Sequence, residues 1–130
     1  MTLPRLFMAL LGLNGAFALL LGLNSLANFE GAMASFDIVY HPSMAPLGTV
    51  TAAQFLLQGA LLLLAIPWTS RHNPAGATVG VAVGVYLLFL TAVEVAYGRG
   101  DVALLADAPR GALLVLCGLA VARRDGTAGA

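Results

Sequence analysis

Residues 10–24 read LLGLNGAFALLLGLN, placing Asn14 and Asn24 in a run otherwise built from Leu, Ala, Gly and Phe. Buried amides without partners are costly, so each one must either leave an apolar environment or find a hydrogen bond within it. The run belongs to a longer apolar segment covering about residues 4–24. A helix of that length can cross the hydrocarbon core of a bilayer, which needs about 20 apolar residues. Asn14 then lies near the middle of the membrane and Asn24 toward one end of the span.

The rest of the chain agrees with a lipid environment. Of its 130 residues, 60% are hydrophobic and only 9% are charged, with a mean hydropathy of +0.92. A soluble domain carries about 25% charged residues to solvate its surface. This chain has too few to do so. The net charge is zero, which removes the electrostatic footprint of a nucleic-acid binder. All six basic residues are Arg, which points with the abundant Ala and Gly to a GC-rich bacterial genome. Cys117 is the only cysteine, so an intrachain disulfide or a cysteine-based metal centre is excluded.

Apolar length gives three further spans, about 48–68, 76–97 and 109–122. The last is expected to open at Pro109, with Asp107 before it as a cap and Asp101 to Ala106 as a separate interfacial turn, because proline suits a first helical turn. Arg5 followed by an apolar run and Ser25-Leu26-Ala27 also resembles a secretory leader. The run is long for a leader's core, so the segment is expected to stay as a span. The fold class is therefore an all-α, integral four-helix membrane bundle forming one domain over residues 1–130.

Arginine placement predicts an orientation with both termini cytoplasmic. Arg5, Arg71, Arg123 and Arg124 then lie inside, Arg99 and Arg110 outside, and Trp68 and Tyr97 mark opposite interfaces. The expected location is the inner, cytoplasmic membrane. The connector of about residues 25–47 is an extended external loop, in which Phe29, Met33, Phe36 and Tyr40 recur at helical spacing with Glu30 and Asp37 off that stripe. Such a segment lies on the membrane surface or folds over the bundle mouth.

Lipid removes the hydrophobic drive between helices, so close packing and interhelical hydrogen bonds must replace it. Gly76, Gly80 and Gly84 follow one another every four residues, and Gly111 and Gly118 share a face of the last span. In the first span Gly15 and Gly22 repeat that spacing, and Gly12 pairs with Ala16. Asn14 is expected to join these glycines as a packing residue that hydrogen-bonds between helices. Thr51, Gln54 and Gln58 occupy one face of the second span, and Glu94 shares an arc with Gly76, Gly80, Leu87 and Thr91. Asn24, Thr51, Gln54, Glu94 and Arg110 project to one half of the bilayer and, with Gln58, form the candidate outward pocket.

Glu94 is the one acid well inside an expected span. An intramembrane carboxylate suits proton coupling or cation binding, but Arg110 at the same expected depth makes an ion pair the preferred reading. His41 and His72 fall on opposite sides of the membrane, and His41 with Glu30 and Asp37 matches no metal-ligand spacing. No catalytic triad, phosphate loop or dinucleotide fingerprint is present, so neither a catalytic residue, a metal nor a cofactor is expected.

The opening LPRLFMALLGLNGAFALLLGLN (3–24), the long first external loop, the segment AAQFLLQGALLLLA (52–65) and the Arg/Pro-led last span resemble the DoxX-like group of small four-helix bacterial membrane proteins. That resemblance covers the whole chain and implies a membrane subunit, since some members are thought to serve membrane oxidoreductases. A small multidrug transporter would carry its glutamate in the first span, where this chain has Asn14. The expected role is a non-enzymatic subunit or scaffold packing against a membrane partner or its own copies. The alternative is a carrier of a lipid, quinone or cation-coupled ligand using the outward pocket.

Overall fold

The computed structural model describes the backbone of residues 2–34, 38–98 and 100–128, and their side chains except at 100–103 and 125–128. Phe36, Asp37 and Arg99 lie outside the described residues, as does the Asp101 side chain. The described chain is helical: α1 (Leu3–Ala27), α2 (Phe29–Ala34), a 3-10 turn (Pro42–Met44), α3 (Ala45–Ser70), α4 (Pro74–Ala96) and α5 (Gly100–Ala128). Among the described residues, four stretches are long and apolar enough to cross a membrane: Leu3–Ala27, Pro42–Ser70, Pro74–Ala96 and Leu104–Arg124.

Proline starts three of the long helices, at Pro4, Pro46 and Pro74, where its missing N–H costs nothing. The Asn73 side chain caps α4 by accepting from Ala75 N at 2.9 Å. Gly98, at φ 73°, supplies the left-handed residue that turns the chain from α4 into α5.

The last span departs from expectation. It is helical from Gly100, and Pro109 sits inside it. Val102 to Ala106 are apolar helix formers and continue the helix upstream of the proline. Asp107 is consequently an interior helical residue.

The closest pairs are α1 with α3 and α4 with α5, while α3 against α4 and α1 against α5 close the bundle. Each close pair is built around two glycines whose backbones touch. A Cβ on Gly15 would lie 3.1 Å from the Gly59 carbonyl oxygen, and one on Gly59 2.8 Å from that of Gly15. The same reciprocity joins Gly84 to Gly111, at 2.7 and 2.8 Å. Backbone approach this close is the usual means of helix association in lipid.

The two hairpins are an internal repeat. GALLLL (59–64) in α3 corresponds to GALLVL (111–116) in α5. The buried residues Phe7, Leu11, Asn14, Gly15, Ala18 and Gly22 of α1 correspond in order to Gly76, Gly80, Val83, Gly84, Leu87 and Thr91 of α4, at a constant offset of 69. The two hairpins thus share a packing register, with Gly15–Gly59 of one matching Gly84–Gly111 of the other. Phe7, Leu11, Leu62 and Leu114 fill the core between them. The outer faces carry Leu13, Leu20, Val50, Leu57, Val85, Phe89 and Leu116, all exposed, as lipid-facing helices require.

Candidate functional site

Asn14 is buried near the middle of α1. Its Nδ2 donates to the Leu10 carbonyl of its own helix at 2.8 Å. That leaves Oδ1 to accept from Nε of Arg110 at 2.7 Å, across the α1–α5 contact. The amide in the opening run therefore serves as an interhelical hydrogen-bonding group.

Arg110 sits deeper than the sequence suggests. The adjacent Gly111 crosses α4 at Gly84, near the middle of that helix, and Asn14 is central in α1. Nη1 of Arg110 donates to Asp107 Oδ1 at 3.0 Å, an ion pair one turn apart on α5. The Arg110 guanidinium carbon lies 4.5 Å from the centroid of the Phe17 ring, so one face is covered by an aromatic surface that favours cations. The two side chains keep 24% (Arg110) and 27% (Asp107) of their surface exposed. Asp107 also lies within electrostatic reach of the Tyr86 hydroxyl on α4.

The expected Glu94–Arg110 pair is replaced by this arrangement. Extending α5 back to Gly100 sets Arg110 opposite the middle of α4, whereas Glu94 is one turn from that helix's end. Glu94 is half-buried and makes no hydrogen bond or ion pair with the described residues. Asn24 and Gln54 are exposed and Thr51 is half-buried, and the side-chain partners of Arg110 are Asn14, Asp107 and Phe17. A shallow groove of about 400 Å³ instead lies at the connector, lined by Glu30, Ala34, Ile38, Val39 and Tyr40. The Tyr40 ring of that lining meets the Phe29 ring edge to face, with centroids 6.0 Å apart.

Gln58 is buried, and its Oε1 has no hydrogen-bond donor among the described residues. The repeat explains why. Gln58 precedes Gly59 as Arg110 precedes Gly111, and Val83 occupies in α4 the place of Asn14 in α1. Arg110 finds an amide on the neighbouring hairpin, whereas the α4 residue in register with Asn14 is a valine.

The glycines expected at helix crossings each meet a neighbouring helix. A Cβ on Gly76 would approach the Ala65 carbonyl oxygen at 2.8 Å, one on Gly80 Leu11 at 3.1 Å, and one on Gly118 Val81 at 2.7 Å. Thr69 and Thr91 satisfy their hydroxyls on the Ala65 and Leu87 carbonyls at 2.8 and 2.9 Å. Sequence reasoning missed Asp107 and Phe17. The available signal was the i, i+3 spacing of Asp107 and Arg110, which pairs two charges only when the helix begins before them.

Chemically, the site is a neutral Arg–Asp pair held against an amide and a phenyl ring. It supplies hydrogen-bond donors and one spare carboxylate oxygen at mid-bundle depth. Among the described residues no group of three His, Cys, Asp or Glu side chains converges. No family model, no curated protein and no solved structure matches the chain, so its functional reading rests on these residues and their geometry.

Proposed function

We propose that this chain is a multi-pass protein of the bacterial cytoplasmic membrane, of the DoxX-like kind, with both termini cytoplasmic. In this reading it acts as a non-enzymatic subunit that packs sideways against a membrane partner. One observation carries the reading: the Arg110–Asp107 pair is about a quarter exposed at the side of the bundle, near the mid-length of α1 and α4. An arginine at the centre of a span costs about 2.5–3.5 kcal/mol on insertion scales. A neighbour that covers the pair removes much of that penalty. The backbone-to-backbone crossings at Gly15–Gly59 and Gly84–Gly111 leave little room for a ligand between the paired helices, which favours a subunit over a carrier.

Mass spectrometry of the chain extracted in native lipid tests the reading. A complex of fixed stoichiometry supports it, whereas a lone chain holding a small molecule overturns it in favour of the carrier. The orientation has its own test in a Cys117→Ala background. Cysteine at Val39 should react with an impermeant reagent in intact cells, and cysteine at Ser70 only after lysis.

A further inference from the structure

We propose that the surface around Arg110 and Asp107 is a two-fold interface with a second copy of this chain. Each copy's Arg110 donates to the other's Asp107. The inference rests on the subunit reading and names the partner.

Three observations select this occupant. First, the exposed pair carries no net charge, so a carboxylate or phosphate ligand would leave an uncompensated negative charge in an apolar setting. A neutral counterpart with both donors and an acceptor fits better. Second, the hydrogen-bonding capacity is unspent on both sides. A guanidinium has five N–H donors, and the bonds to Asn14 and Asp107 use two of them. Asp107 accepts through Oδ1, and Oδ2 is available for a second donor. Third, a two-fold axis along the membrane normal reverses the in-plane part of an Arg–Asp dipole, so the pair and its copy can set unlike charges against each other across that axis. An isologous interface demands that property. No partner of different sequence has to be assumed to supply a matching pair at the same height.

The neighbouring surface permits the approach. Ala106, Pro109, Leu113 and Leu116 are all exposed and recur at helical spacing on α5 beside the pair. The two small residues, Ala106 and Pro109, lie level with Asp107 and Arg110, where the two helices must come closest. The larger leucines fill the space farther along.

The test co-expresses two differently tagged full-length copies and measures co-purification from native lipid particles. With equal expression and random pairing, purification through one tag should recover the other copy at about half the amount of the tagged one, the statistical yield for a dimer. Asp107→Asn in both copies, or Arg110→Gln in both, should reduce recovery by about tenfold. Pairing an Asp107→Asn copy with an Arg110→Gln copy restores one intermolecular contact and should recover several-fold over either alone. Equal recovery in all three combinations would show that the pair acts only within one chain, and would overturn the proposal. Ala106→Trp leaves the pair intact and alters only an exposed position. It should fold with the parental helical content and lose self-association, with a melting temperature lowered no further than loss of the second copy requires; retained association would also overturn the interface. Recovery of a different protein at fixed stoichiometry, without the second copy, would refute self-association and leave the subunit reading standing. A chain recovered alone would refute both.

Discussion

Gly111 of α5 and Gly84 of α4 meet back to back, so Gly111→Ala forces two backbones apart. The added Cβ would stand 2.8 Å from the Gly84 carbonyl oxygen and 3.1 Å from Leu87 Cβ and Leu88 Cγ. Favourable contacts between carbons lie at about 3.5–4.0 Å, so the helices must open by about half an ångström or more. A gap of this size forfeits about a quarter to a half of each affected contact, and each contact is worth about 0.1–0.2 kcal/mol. Forced into a packed interface, such a group typically costs about 1–3 kcal/mol. Alanine also gains up to about 1 kcal/mol over glycine in a helix interior, which masks part of the loss. Gly12→Ala is the matched control, because its Cβ meets only Ile66 Cδ1 at 3.6 Å, an ordinary contact. The propensity gain cancels between the two variants, and their difference of about 1–3 kcal/mol isolates the packing cost. Equilibrium unfolding in lipid bicelles measures both. Adding Gly84→Ala to Gly111→Ala should cost less than the sum of the single losses, since the helices are already parted. If Gly111→Ala unfolds with Gly12→Ala, the crossing is not a close contact and the α4–α5 register is wrong.

Asp107→Asn and Arg110→Gln should each lower the melting temperature of the chain, and the double variant should recover part of the loss, because each single change strands one charge; additive losses would separate the two groups. Val83→Asn places an amide at the α4 position equivalent to Asn14, within the reach expected for Gln58 Oε1. It should be more stable than Val83→Ala by about 0.6 kcal/mol, the average for an interhelical hydrogen bond in lipid, and a less stable Asn variant would refute the repeat-based pairing. Gly98→Ala should cost about 1 kcal/mol of stability measured by thermal melting, a purely conformational penalty, since nothing lies within 4 Å of the added Cβ. A neutral outcome would place that turn in another conformation.

Much of the architecture is legible in the sequence. Unbroken apolar length marks the membrane-sized helices, because the bilayer sets a minimum span. Proline and asparagine mark several starts, because their chemistry is local. The requirement that Asn14 be satisfied also follows from the sequence, since a buried amide without a partner is costly wherever it lies. The partner's identity does not. The helices are apolar on nearly every side, so hydropathy says little about which face of each turns inward. Asn24 and Gln54 could be assigned to a pocket by depth, yet the packed bundle leaves both exposed. The start of α5 had the largest consequence. Read locally, Asp107-Ala108-Pro109 is a cap and a first turn; in the folded chain the helix runs through them from Gly100. That extension and the Gly84–Gly111 crossing set Arg110 opposite Asn14 instead of Glu94. Only tertiary packing decides such a pairing, because the register between helices depends on where backbones can touch. The same packing brings out the repeat of the two hairpins. At one of the matched positions α4 carries Val83 where α1 carries Asn14, and Gln58 Oε1 has no donor among the described residues.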